Sequence, residues 1–246
     1  MYRVMVVNAK GGSGKTTIAT NIAGYYASQG HQTALMDYDP QESSMAWHGL
    51  RPATAAPLHG VSANRHVSGA TRSWRLRLPP EIDRVVVDVP AGFTGFDLQN
   101  MLRRVDAVII PVLPSPIDIH VTSDFIRDLF LVGKVRSLPV DVGVVANRVK
   151  RDTPVYQPLQ RFLKRLEIPF ITTLWDSYCY TEAAEQGLSV HELPRIEEDE
   201  LTQWTPMLDW LTQSEQRVEA GGGDDARGGT PAQRPATPVP PTRSGS

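Results

Sequence analysis

Cysteine is almost missing from this chain: Cys179 is the only one among 246 residues. A single thiol excludes an internal disulfide framework and argues against a subunit-bridging iron–sulfur cluster, which needs more thiolates. An excess of one charge is missing too. Twenty-five basic and 27 acidic side chains leave a formal charge of −2. No global cationic field therefore announces nucleic acid, and any such contact must use a local patch. No apolar run approaches the length of a membrane span, and the opening MYRVMVVNAKGG lacks the layout of a secretory signal. His31, His48, His59, His66, His120 and His191 show no metal-ligand spacing. No solenoid-type repeat is visible. What remains is a chain with 41% hydrophobic residues, long enough to bury a sizeable core without staples. A cytoplasmic protein with no membrane partner is the expectation.

The chain divides by composition. Residues 215–246 hold six Gly, five Pro and no aromatic residue, with four acidic and four basic side chains. Such a stretch cannot recover its ordering entropy by burial, so the folded domain is expected over 1–213, with a disordered Gly/Pro-rich tail over 214–246. Within the domain, short apolar runs alternate with helical patterns. Strands are expected at Val4–Val7, Thr33–Asp37, Val85–Val89, Ala107–Val112, Val140–Ala146 and 168–174, with a minor one at Leu58–Val61. Helices are expected at 16–29, 42–50, 117–132, 155–166 and 179–187. Gly30 follows the first helix as a C-cap. Nearly continuous apolar strands between helices indicate an α/β fold with a mostly parallel sheet covered on both faces.

The sharpest chemical signal is Gly11-Gly12-Ser13-Gly14-Lys15-Thr16-Thr17, directly after the first strand and directly before a helix. A Gly-rich turn brings backbone N–H groups toward phosphate oxygens, and the helix N-terminus adds unpaired donors and a favourable dipole. Lys15 can span the outer phosphates and Thr16 can ligate Mg²⁺. The strict P-loop spacing is broken, and Lys10 stands five residues before Lys15. An ammonium there can add a contact to a terminal phosphate.

Asp37 and Asp39 stand at the end of the second strand, and Asp88 ends another apolar run. Sites in parallel sheets collect at strand C-termini, so the three carboxylates can meet at the loop carrying Lys15. One can organise Mg²⁺ through its water shell and another can position an attacking water. Each aspartate alone could instead cap a helix or start a turn.

Lys10–Thr17 resembles the deviant Walker A motif of the ParA/MinD family of dimeric ATPases. Asp37-Tyr38-Asp39-Pro40-Gln41 is similar to the family's Asp-x-Asp-Pro-Gln motif, and Asp88 sits where its Walker B aspartate belongs. The likeness covers about residues 2–193 and is closest to small plasmid-partition ParA proteins, whose proline-rich strand end resembles Ile110–Pro116. The resemblance implies a P-loop ATPase fold with ATP and Mg²⁺ as ligands. It implies that Lys10 reaches across a dimer to the partner's phosphates, and that Gly11, Gly12, Ser13, Gly14, Lys15, Thr16 and Thr17 cradle ATP, with Thr16 on Mg²⁺. It gives Lys10, Lys15 and Asp39 catalytic roles, Asp39 positioning the hydrolytic water. Asp37 and Asp88 would organise the metal shell, and Asn147 would read adenine. It also implies an ATP-dependent homodimer, non-specific DNA binding, nucleoid association, and a ParB-like or cargo-adaptor protein that stimulates slow turnover. Cargo in such proteins includes plasmids, carboxysomes and chemotaxis clusters.

Local basic clusters at Arg161, Lys164 and Arg165, at Lys134 and Arg136, and at Lys150-Arg151 are candidate DNA contacts. The sequence departs from the family at Pro90-Ala91-Gly92 after Walker B, and at Ser177-Tyr178, where many relatives carry an arginine. Leu201, Trp204, Leu208 and Leu211 are read as packing on the body, with Pro206 interrupting that stretch. Two other classes stay open: a metabolic ATP-dependent enzyme, and a nucleotide-regulated adaptor without turnover.

Overall fold

Apolar runs too short for helices and rich in β-branched residues become strands. The computed structural model describes residues 1–63, 78–131, 133, 135–150, 164 and 168–222. The order is β1 (Tyr2–Val6), α1 (Lys15–Ser28), β2 (Thr33–Asp37), α2 (Ser43–Gly49), β3 (His59–Ser62), β4 (Arg84–Asp88), α3 (Gly95–Leu102), β5 (Ala107–Val112), α4 (Pro116–Leu131), β6 (Asp141–Val149), β7 (Phe170–Trp175), α5 (Cys179–Glu185), α6 (Glu198–Thr202) and α7 (Thr205–Gly222). The seven strands form one sheet in the order 3-2-4-1-5-6-7. Every adjacent pair is parallel.

Strand alternation sends side chains to two separate cores. Met5, Val85, Val87, Val108 and Ile110 face one layer, where they meet Leu98 and Leu102 of α3 and Phe125, Ile126 and Leu129 of α4. Val4, Val6, Leu35, Val86 and Ile109 face the other, against Ile18 and Ile22 of α1, Trp47 of α2 and Trp204, Met207 and Leu211 at the C-terminal helices. β1 lies between β4 and β5. The chain therefore crosses over β1 when it passes from β4 to β5, and the crevice beyond the C-terminal end of β1 is the natural ligand position in such a sheet. After α1, Gly30 takes a φ of +86° and its N–H bonds back to the Ala27 carbonyl at 2.9 Å, so it does close the helix.

The C-terminal boundary differs from the sequence expectation. α7 continues past residue 213 to Gly222, and Pro206 starts the helix rather than interrupting it, since a first-turn N–H is unpaired in any case. The continuation is held by packing: Ser214 is fully buried, Glu215 pairs with Arg84 at 2.7 Å, and Arg217 pairs with Asp141 at 2.8 Å. Composition averaged over 215–246 hid these few anchoring residues. The expected helix 155–166 lies outside the described residues except for Lys164.

Candidate functional site at the ends of β1, β2 and β4

The turn after β1 is built for an anion. Gly12 and Gly14 adopt φ of +73° and +90°, a region that side chains with a Cβ avoid. Gly14 is the N-cap of α1 and offers no side chain to its first-turn amides, so those N–H groups point outward unsatisfied. Lys15 is buried and donates from Nζ to the Lys10 carbonyl at 3.2 Å, which curls the side chain over the loop. Burial pushes its pKa down, while the charges of Asp88 and Asp39 pull it back up. The Pro90-Ala91-Gly92 turn lies against this loop: the Gly92 N–H reaches the Ala9 carbonyl at 3.1 Å.

The aspartates are brought together but do different things. Asp37 and Asp88 are register partners on adjacent strands, and both are fully buried. Asp37 accepts the Asp39 N–H on Oδ1 at 2.8 Å. On Oδ2 it accepts the Ser44 N–H at 3.0 Å, the Ser44 hydroxyl at 2.6 Å and the Met45 N–H at 3.2 Å. These bonds tie the 38–45 loop and receive first-turn donors of α2, so any part of Asp37 in a metal shell would run through water. The strand stops at Asp37, so the loop must turn at once into a helix whose first amides need an acceptor. Asp39 stands in that loop, with Oδ1 accepting the Gln41 N–H at 2.9 Å; its carboxylate is thereby fixed at the cleft wall.

Asp88 is the opposite case. Neither carboxylate oxygen has a hydrogen-bond partner among the described residues. Burial pushes its pKa up to about 7; the Thr16 side chain pulls it down, Asp37 pushes it up and Lys15 pulls it down. A buried carboxylate with bare oxygens beside a threonine hydroxyl fits a hard divalent cation. No group of three His, Cys, Asp or Glu side chains that could hold a metal occurs among the described residues. A Mg²⁺ ion here would therefore take Thr16, Asp88 through water, and phosphate oxygens, the mixed set this ion prefers.

Asn147 comes from the far side of the sheet. The β6–β7 register shifts between Ala146 and Val149, and Arg148 sits at φ +55°. This irregularity sets Asn147 on the phosphate loop, where Nδ2 donates to the Ser13 carbonyl at 2.9 Å. A Cβ on Gly14 would stand 2.0 Å from that nitrogen. The amide expected to read adenine therefore also braces the loop, with Oδ1 and a second N–H still available. The cleft between these parts measures about 680 Å³ and is walled by Gly11, Gly12 and Gly14–Thr17 on one side and by Asp39, Asn147, Asp176 and Tyr180 on the others. That volume suits a small-molecule site of roughly 300–1,000 Å³.

Two functional neighbours escaped the sequence reading. Asn8 is fully buried and accepts the Lys10 N–H at 3.0 Å. Asp118 pairs with Lys10 at 3.4 Å. Asn8 directly precedes the motif, yet no spacing rule marks it; Asp118 lies more than a hundred residues away. Of the candidate DNA contacts, Lys164 and Lys150 are exposed, while Arg161 and Arg165 lie outside the described residues, as do Lys134 and Arg151. The buried Trp204, Met207 and Leu211 show the last helix packed on the body, and no described helix is long and apolar enough to cross a membrane.

Known proteins share this fold. A carboxysome distribution protein A from Halothiobacillus neapolitanus is 30% identical over 193 residues, covering 78% of this chain and 88% of its own length. The apo structure of McdA from Cyanothece superposes with a TM-score of 0.67 at 17% identity, covering 87% of this chain and 99% of that one. The cell division ATPase MinD of Pyrococcus furiosus gives 0.61 at 15% identity, covering 89% and 100%. The match to the CobQ/CobB/MinD/ParA nucleotide binding domain runs over residues 4–190, from β1 past the last helix that walls the cleft. With its phosphate loop, paired strand-end aspartates and parallel sheet, the chain belongs to that family.

Proposed function

We propose that this chain is a ParA-type ATPase that joins two copies of itself around ATP, separates them on hydrolysis, and uses the cycle to partition or position an intracellular cargo. Lys10 carries this reading. The phosphate loop already has Lys15 to meet the outer phosphates, and Lys10 adds a second ammonium, 40% exposed, on the open side of the same loop. A cation there can contact a phosphate held by another subunit and stabilise transition-state charge.

The chain's own residues divide the labour. The first-turn amides of α1 and Lys15 bind the phosphates; Thr16 and Asp88 hold the cation site. Bound Mg²⁺ would supply charge neutralisation at the phosphoryl oxygens. Asp39 orients the attacking water from the cleft wall, and Asn147 keeps the loop in shape while offering its remaining polar groups to the base.

Exposed Lys150 and Lys164, with the basic residues near them in sequence, support non-specific DNA contact by the dimer, since pooling two patches multiplies phosphate neutralisation. A ParB-like or cargo-adaptor protein would speed turnover, in a cytoplasmic, nucleoid-associated setting. The carboxysome-distribution relative favours a protein-assembly cargo over a metabolic substrate.

The test combines two measurements. Light scattering of Asp39→Ala with Mg-ATP should give a stable dimer that binds DNA non-specifically. ATP hydrolysis by the unmodified chain should rise with DNA plus the product of a neighbouring gene. Stimulation only by a small organic substrate would indicate a metabolic enzyme, and ATP binding without turnover an adaptor.

A further inference from the structure

Lys10 is held from two directions by α4 and the strand before it. Its backbone N–H is accepted by Asn8 Oδ1, and Asn8 Nδ2 in turn donates to the Pro111 carbonyl at 2.6 Å and the Thr122 hydroxyl at 3.0 Å. Its ammonium lies 3.4 Å from Asp118 Oδ1 in the first turn of α4. The Asp118 carboxylate is only 14% exposed, and Oδ1 has no hydrogen-bond partner among the described residues, so the Lys10 charge is what balances it. Ser115 fixes the carboxylate: its hydroxyl donates to Oδ2 and accepts the Asp118 N–H at 3.1 Å. The pair is therefore prepared, with one partner rigid and the other a long flexible side chain. Beside it, Ile117 is largely exposed, so a body that engages Lys10 also meets an apolar surface.

We propose that Asp118 is a positioning residue that holds Lys10 within its own subunit and so sets the ATP concentration at which two subunits close. This rests on the dimer reading above. In the single chain, Lys10 neutralises Asp118; in the closed pair, it must leave that carboxylate for a partner's phosphates. The two anions compete for one ammonium, and removing one of them favours the other. A half-exposed lysine facing a mostly buried acid is suited to this, because the pair resists salt more than a surface pair yet leaves the lysine able to swing. Asp118 thereby delays closure until the triphosphate is bound in both copies.

The experiment titrates Mg-ATP into the Asp39→Ala chain and reads dimer by light scattering, then repeats this with Asp118→Asn added. Asparagine keeps the shape and the Ser115 contacts but loses the charge. Dimer should form at about fivefold lower ATP. A merely structural loss at α4 would move the threshold upward, so the sign separates the two roles. Ser115→Ala, which frees the carboxylate without removing it, should give a smaller shift in the same direction. In the nucleotide-free chain, Asp118→Asn should also raise the rate of Lys10 acylation relative to exposed Lys150. An unchanged or raised ATP threshold in both variants, or unchanged Lys10 acylation, overturns the proposal. If Asp39→Ala alone stays monomeric at saturating Mg-ATP, the dimer reading itself falls and this inference falls with it.

Discussion

Asp37 and Asp88 end neighbouring strands in register, carry the same side chain and are equally buried, yet one is saturated with hydrogen bonds and the other faces only the Thr16 side chain. The end of β2 must feed a short loop straight into α2, so its carboxylate is spent on amide and hydroxyl donors. The end of β4 leads into the Pro90-Ala91-Gly92 turn, which sends its Gly92 amide to the phosphate loop instead, and Asp88 stays bare. Burial of an acid without donors disfavours its charge and is retained where a ligand will restore the balance. Two identical side chains one strand spacing apart thus meet opposite surroundings.

The contrast can be broken most sharply at Asp88. Asp88→Asn should lower Mg-dependent ATP hydrolysis by on the order of 1,000-fold, while the metal-free chain melts no earlier than the parent. Early melting would place Asp88 with the structural residues. A pH series tests the same point. Asp88 is raised in the fold to about 7, so between about pH 4 and pH 7 the folded state binds more protons than the unfolded one. Stability of the metal-free chain should therefore be fully present at low pH and be lost as pH rises through 7. The loss is on the order of 4 kcal/mol for this group. Urea denaturation of Asp88→Asn should show that part of the slope removed.

Asp37→Ala should do the converse. It strands the α2 donors and should cost roughly 2–4 kcal/mol in denaturation. ATP binding should persist in whatever fraction stays folded. A stable Asp37→Ala that lost only Mg-dependent activity would return Asp37 to the metal shell. Smallest is the effect at Asn147. Asn147→Ala removes the brace on the Ser13 carbonyl and should weaken ATP binding by about tenfold or less, measured by calorimetry.

The sequence disclosed the parts of the site that are contiguous. Lys10–Thr17 shows itself because phosphate binding needs glycine and lysine at fixed offsets, and strands β2 and β5 were legible because Ala34–Met36 and Ala107–Val112 are apolar runs. α3 was not foreseen: Gly95–Leu102 is short, begins on a glycine at φ +62°, and owes its helix to Leu98, Met101 and Leu102 packing inward. The different hydrogen-bonding surroundings of Asp37 and Asp88 were equally hidden, since both follow a run of apolar residues and differ only in the turn that comes next. Asn147 was legible as a candidate through family likeness, but its brace on the Ser13 carbonyl depends on a register shift that no local pattern announces.

The extension of the last helix has a practical side. Ser214, Glu215 and Arg217 knit it to the sheet through buried and paired contacts, so a fragment trimmed at residue 213 for crystallisation or imaging would take Glu215 from Arg84 and Arg217 from Asp141 and bare an apolar flank. Fluorescent reporters meant to follow this protein in cells belong beyond Gly222, where they leave that seam intact.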